Sequence, residues 1–259
     1  MRQWLDRLRY GDGPDSPLNL PPQPDYAARE SEIRGRIDGD WTVSLELGDV
    51  LLRQEDFKGA ARAYAEALDA QPASARALGG IGKALCYLGN FDGAREYLNK
   101  AVAMTADEPS VQVGLGLLAY KDGQLKVARR HFERAIALDG NDVDAYFHLG
   151  QIAWELKDMR RCAEAFRASL MLDPANLVAL RTMGNAYVAM NQLGAALDAY
   201  EHAAALDPSI ETTHYGVGTL LVRLGRDDEA IEAFDRALAI DPNYGEAWEA
   251  IAEIRGKKD

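Results

Sequence analysis

Cysteine is nearly absent: among 259 residues there are two, Cys86 and Cys162. Two thiols so far apart exclude a disulfide framework and lack the close spacing of a zinc or redox pair. Aromatic residues are also sparse, at 8%, so a large aromatic placed off the core carries information. Cations are outnumbered, 29 Lys and Arg against 41 Asp and Glu, for a net charge of −12. Nucleic acid and anionic membranes both require a basic footprint, which this balance does not supply. No apolar run approaches the length that crosses a bilayer. The first residues, Met1 to Arg7, turn polar at once and lack the apolar stretch of a secretory signal. These features lead us to expect a cytoplasmic chain with no direct membrane insertion, peripheral on an organelle or membrane only through a protein partner.

Catalytic signatures are missing as well. The sequence has no Gly-x-Ser-x-Gly elbow, no His-Glu-x-x-His, no Cys-x-x-Cys and no phosphate-binding loop. Gly80-Ile81-Gly82-Lys83 comes nearest to such a loop but lacks the upstream glycine and the following Ser or Thr. The histidines, His131, His148, His202 and His214, form no ligand pair at i, i+4. Carboxylates are spread over what read as solvated helix faces. The expectation is no enzyme, no cofactor and no metal.

What the chain does have is a period. Glycine recurs every 34 residues at Gly48, Gly82, Gly116, Gly150, Gly184 and Gly218. Twelve residues after each stands a small residue (Ala60, Ala94, Ala128, Cys162, Ala196, Ala230), and four further on a large apolar one (Tyr64, Leu98, Phe132, Phe166, Tyr200, Phe234). Pro72, Pro174, Pro208 and Pro242 close four of the units. Counted from Trp41, six repeats run without insertion through residue 244. Apolar spacing makes each a pair of helices broken near its middle, as at Leu88-Gly89-Asn90. A glycine inside a helix costs about 0.5–1 kcal/mol relative to alanine. Six of them at the eighth place of the repeat therefore imply close helix packing, with the aromatic at the twenty-fourth place filling space against the next repeat. One helix pair cannot bury its own face, but stacked pairs share a continuous core.

The pattern Leu-Gly…Tyr…Ala…Phe…Ala…Pro over 34 residues, clearest in Tyr146 to Pro174 and Val217 to Pro242, resembles the tetratricopeptide repeat. The resemblance covers residues 41–244 and implies an all-α, right-handed superhelical solenoid of antiparallel helix pairs, whose first helices line a concave groove that binds peptide or protein. Repeat four departs from the pattern, with Cys162 and Ser169 where alanine is usual and Lys157 where glycine is usual.

Outside the repeats, residues 245–259 resemble the first helix of a seventh repeat and read as a capping helix and tail. Residues 1–40 differ in kind. Gly11 to Asp25 is a Pro-rich linker, and Tyr26 to Ile37 reads as a short charged helix against the first repeat. Trp4, Leu5 and Leu8 fall on one helical face opposite Arg2 and Arg9 and are candidates for self-association or for docking in a groove.

With catalysis excluded, function is expected in the groove. Places 2, 5, 9, 12 and 13 of each first helix share a face turned away from the core. That face supplies the candidate binding residues Arg53, Arg76, Lys83, Tyr87, Leu117, Tyr120, Lys121, Phe147, Gln151, Trp154, Arg181, Asn185, Tyr215, Thr219 and Arg223. It carries six basic and three acidic residues in an otherwise acidic chain. Such a surface suits an amphipathic helix or an extended acidic-hydrophobic peptide, with aromatics and Arg as anchors. Arg181 and Asn185 resemble the first pair of a carboxylate clamp, but Gly216, Glu246 and Ala250 stand where its other members would be. Two functions follow: a non-enzymatic interaction scaffold or adaptor, able to self-assemble into homo-oligomers, or a targeting or regulatory subunit presenting substrates to a separate enzyme or to a secretion or assembly machine. Stand-alone chains of the family serve secretion, envelope assembly and the coats of bacterial organelles such as magnetosomes, and no residue here selects among these.

Overall fold

The structure, a computed structural model, describes residues 18, 20–36 and 40–256. Among these residues there are fourteen α-helices and no strand. Helix α1 is Tyr26–Arg34. Six pairs follow: α2 (Trp41–Arg53) with α3 (Phe57–Ala70), α4 (Ala75–Tyr87) with α5 (Phe91–Met104), α6 (Pro109–Lys121) with α7 (Leu125–Leu138), α8 (Val143–Glu155) with α9 (Met159–Leu172), α10 (Leu177–Ala189) with α11 (Leu193–Leu206), and α12 (Glu211–Arg223) with α13 (Asp227–Ile240). Helix α14 is Gly245–Gly256. The architecture is an all-α repeat solenoid, as the 34-residue period implies.

One local solution is used six times. The fifteenth residue of every repeat takes the left-handed conformation that turns the first helix into the second. Gly89, Gly123 and Gly225 do so at φ between 71° and 75°, and Glu55, Lys157 and Asn191 at φ between 58° and 61°. A side chain with Cβ pays about 1–2 kcal/mol for that backbone. Repeat four therefore keeps its turn despite Lys157 and carries the strain. The next residue often caps the second helix: Asp56, Asn90 and Asp158 accept from the amides of Gly59, Gly93 and Arg161 at 2.8, 3.0 and 3.2 Å.

The twenty-fourth residue sets the spacing between helices. In repeat one the Tyr64 ring lies between two glycines. A Cβ added at Gly48 of the same repeat would sit 2.6 Å from the ring, and one at Gly80 of the next repeat 2.7 Å. Leu98 is held in the same way between Gly82 and Gly114, and Tyr200 between Gly184 and Gly216. The eighth-place glycines were legible as a packing requirement; the sixth-place glycines, Gly80, Gly114 and Gly216, form the other wall. In repeat four the sixth place is His148, whose ring stacks on Phe132 at 5.2 Å instead.

The helices group into two compact units, Gln23–Leu149 and Gly150–Asp259, the latter together with the described residues up to Pro22, and the division falls inside α8. In the first unit α1 inserts Ile33 into a core with Val43, Leu45 and Leu47. The helix expected to run to Ile37 stops at Arg34, where Gly35 and Arg36 donate back to the carbonyls of Ser31 and Ile33; Ile37 lies outside the described residues, as do Trp4, Leu5 and Leu8. In the second unit α14 buries Ala247, Ile251 and Ile254.

Gly80→Ala would press a methyl against a ring that Gly48 prevents from receding. It is expected to destabilise by about 1–3 kcal/mol. Gly194→Ala, in a helix and with nothing within 4 Å of the added carbon, is expected to stabilise by about 0.5–1 kcal/mol. Urea unfolding of the two variants beside the wild type checks the opposite signs.

Candidate functional site

The inner places of the first helices differ between the two units. In Gln23–Leu149 they close on one another. Asp142 accepts the Ala145 amide at 2.9 Å and so caps the start of α8, which sets Asp144 one residue into the helix. The Lys83 ammonium of α4 pairs with the Asp144 carboxylate, and the Arg53 guanidinium of α2 lies 4.0 Å from the same oxygen. Lys83 is buried. One carboxylate of repeat four thus takes cations from repeats one and two.

One turn beyond Lys83, the Tyr87 ring stacks on Phe57 at 4.8 Å between centroids, and its hydroxyl lies 3.2 Å from His148 Nε2. His148 is itself ringed by Phe132, Phe147 at 5.4 Å and Tyr120 at 6.1 Å. Burial and the nearby Asp144 push the Tyr87 hydroxyl well above its ordinary value. For Asp144, burial would raise the carboxyl, but Lys83 and then Arg53 outweigh it and hold it well below the usual carboxylate range. Burial would likewise lower Lys83, yet Asp144 and Asp142 keep its ammonium above the ordinary value. For Asp142 burial wins over the pull of Lys83 and raises it.

Other inner residues of this unit are similarly engaged. Arg76 pairs with Asp49, whose carboxylate also accepts from the Tyr64 hydroxyl at 2.6 Å. Lys121 lies over the Phe91 ring at 5.1 Å, and Leu117 is buried. Arg53, Lys83, Tyr87, Tyr120 and Phe147 are therefore brought together around Asp144 and His148, with Arg76, Leu117 and Lys121 outside that cluster. Sequence reasoning passed over Phe57, Asp142 and His148. The available signal was the histidine at a place where three other repeats carry glycine.

Inner places in Gly150–Asp259 are more open. Val178, at the second place of α10, is 57% exposed. Arg181 and Gln151 are half-buried, Asn185 and Arg223 exposed. The Tyr200 hydroxyl donates to Asn185 Oδ1 at 2.8 Å, which fixes the amide from behind and turns its NH2 end away from that bond. Arg223 donates to Asn191 Oδ1 at 3.1 Å, and the Thr219 hydroxyl donates to the Tyr215 carbonyl at 3.0 Å. Tyr215 packs edge-on to Tyr244 at 5.2 Å. Trp154 is half-buried, with the Lys157 ammonium 5.7 Å from its ring.

Burial pushes the thiols of Cys86 and Cys162 up to about 12, the opposite of an activated nucleophile. No group of three or more His, Cys, Asp or Glu among the described residues could hold a metal ion. No described helix is long and apolar enough to cross a membrane.

The family model of the tetratricopeptide repeat matches residues 45–109, 113–176 and 181–245. The chain belongs to the tetratricopeptide repeat family. No curated protein matches it at a significant level. Among solved structures it is similar to Pseudomonas aeruginosa PilF, at 19% identity and a TM-score of 0.61, over 86% of this chain and 99% of that one. It is similar to MamA from Desulfovibrio magneticus RS-1, at 22% identity and 0.54, over 66% and 96%. A chain of the APC/C hetero-tetramer Cut9–Hcn1 gives 19% and 0.59 over 88% of this chain, which spans 45% of that longer one. At such identities the likeness establishes the fold. Tetratricopeptide repeats are in general non-catalytic modules for protein–protein interaction, and the fold of this chain is that of an interaction scaffold.

The Lys83–Asp144 pair makes a prediction with a defined pH dependence. Asp144, depressed in the folded state, contributes stability above the ordinary carboxylate value of about 4 and loses it as pH falls through its lowered value. Lys83, raised, contributes stability below about 10.4 and loses it as pH rises through its raised value. Asp142 works in the opposite sense and is relieved on acidification. Lys83→Met is expected to destabilise at the lower end of about 3–5 kcal/mol at neutral pH, because Arg53 still faces the orphaned carboxylate. The deficit relative to wild type should narrow at both pH extremes, and Lys83→Met combined with Asp144→Leu should recover most of it. Urea unfolding of the three proteins at pH 2.5, 7 and 11.5 measures this.

Proposed function

We propose that this chain is a non-enzymatic scaffold that holds a segment of another protein against the inner faces of its first helices, with the principal seat in repeats five and six and the end of α8. What supports this reading is the contrast between the two units. In Gln23–Leu149 the cations Arg53 and Lys83 are neutralised from within by Asp144, and Tyr87 is stacked on Phe57. In Gly150–Asp259 the exposed Val178 stands one turn from Arg181, and Asn185 follows Arg181 by one further turn on the same face. An apolar side chain beside a guanidinium and an oriented amide suits a ligand with apolar and acidic residues in alternation. The guanidinium takes a carboxylate, the amide hydrogens a backbone carbonyl, and Val178 with Trp154 an apolar side chain.

The ligand is acidic-hydrophobic rather than basic because the face opposing it is locally cationic while the chain as a whole carries −12. The same net charge disfavours acidic partners elsewhere on the surface, so electrostatics directs such a segment to the inner face.

Affinity purification with quantitative mass spectrometry tests the reading. Trp154→Ala combined with Arg181→Ala is expected to reduce recovery of the main partner at least tenfold, with the helical circular dichroism unchanged. Arg76→Ala, which removes a guanidinium already held by Asp49, is expected to leave recovery near the wild-type level. An identical partner set for wild type and the double variant would refute the placement of the seat.

A further inference from the structure

Repeat four breaks the period on its outer side. At the twenty-sixth place Glu66, Lys100, Arg134 and Arg236 stand exposed on their second helices, but α9 has Ala168 there, with only 2% of its surface exposed. At the thirty-second place Pro72, Ala106, Pro208 and Pro242 are exposed, whereas Pro174 is buried. Met171 is half-buried where Asp69, Ala103, Ala137, Ala205 and Ala239 are exposed. The shielding reaches α11, where Asp198 and His202 are half-buried, and is gone at their counterparts in α13, Glu232 and Arg236.

Stacked repeats cover every internal repeat in the same way, so a cover confined to one outer patch comes from chain outside the period. In the compact unit of Gly150–Asp259 that chain is α14, which packs on α13, and the stretch that ends at Pro22. This stretch carries the matching feature. Leu18 lies in irregular chain and is nevertheless buried; Leu20 and Pro21 are half-buried, and Pro22 to Asp25 are exposed. A leucine outside any helix is shielded from water only by apolar surface of some other segment. Within the unit, Ala168, Leu170, Met171 and Pro174 form an outer surface of that kind, and it is the one whose burial exceeds what the period provides.

We infer that the outer face of α9 and the turn after it, around Ala168, Leu170, Met171 and Pro174, is a docking surface for an extended leucine-proline segment, and that Leu18, Leu20 and Pro21 of the same chain fill it. The surface lies on the second helices, apart from the seat proposed above, and the inference does not rest on that seat. Two adjacent prolines, Pro21 and Pro22, bias the strap to an extended form that loses little entropy on docking. Being tethered, it acts at an effective concentration on the order of millimolar. A strap held on α9 leaves the inner places of the first helices to a partner, and a foreign segment of the same chemistry reaches α9 only by displacing it.

Full-length protein carrying photoreactive benzoylphenylalanine in place of Leu18 tests the placement. Irradiation is expected to give adducts within a single chain, mapped by fragmentation to residues 163–174 or 194–202. Adducts on the first helices α8, α10 or α12, on α13 or α14, or only between two chains would each overturn the inference, as would a yield no higher than with the probe at exposed Gln23. Ala168→Arg supplies the second reading. Arginine already stands at this place in repeats three and six, so the helix pair accepts it, and the helical circular dichroism is expected to stay unchanged. Against a docked strap the guanidinium collides with apolar side chains, and the adduct yield from position 18 is expected to fall at least fivefold. An undiminished yield on the same residues would show that the face is not the seat.

Discussion

A side chain wedged between two glycines fixes the distance between neighbouring helices in this protein, and the rest of the structure depends on it. The Tyr64 ring touches Gly48 on one side and Gly80 on the other, so its thickness becomes the spacing of three helices from two repeats. Tyr200 repeats the arrangement with Gly184 and Gly216. Each glycine weakens its helix, and the contact it permits outweighs that loss because dispersion acts over the whole ring face. The tyrosines add a second effect. Their hydroxyls pass through the layer and donate to Asp49 and Asn185 on the inner side, at 2.6 and 2.8 Å. A core residue thereby orients a surface residue, and repeats with Phe or Leu at the same place have no such support for their inner side chains.

Where the glycine wall is replaced, the inner face changes character. His148 occupies the sixth place of repeat four and stacks on Phe132 rather than admitting it. Its Nε2 meets the Tyr87 hydroxyl, and the Lys83–Asp144 pair lies one turn from each of these two residues in sequence. The result is a filled interior in which Asp144 meets both Lys83 and Arg53. A salt bridge this buried is weak evidence of net stability relative to an apolar alternative. Its clearer consequence is that Arg53 and Lys83 have their charges met before any partner arrives.

The repeat, the helix pairs and the role of the eighth-place glycine were legible because they are periodic: each element restates itself 34 residues on, and chance agreement over six copies is remote. The left-handed turn at Lys157 was less legible, since the glycine that signals it at Gly89, Gly123 and Gly225 is absent there. Least legible was the cluster around Asp144. Its members stand at different places in repeats one, two and four, so the pairing has no period, and a list of inner-face residues counted Arg53 and Lys83 as available cations. Burial of Leu18 was invisible for a related reason: a Pro-rich segment without periodicity reads as a spacer, and only its company in space shows that one of its leucines has left water.

Charge carries the last step. An acidic chain repels acidic segments at long range, and at the Debye length of roughly 8 Å in physiological salt that repulsion is felt only close to the surface. A segment that approaches the inner face therefore meets Arg181 and Arg223 at short range, after most of the unfavourable field has been screened. A half-buried and an exposed guanidinium add modest affinity, so in the proposed seat apolar contact with Trp154, Val178 and their neighbours supplies most of the binding. In that proposed seat discrimination falls to the arginines, which reject basic segments, and to Asn185, whose oriented amide rewards an extended backbone over a helix because a helix has already used its carbonyls. On the proposed seat, this chemistry favours an extended, acidic-hydrophobic segment over an amphipathic helix.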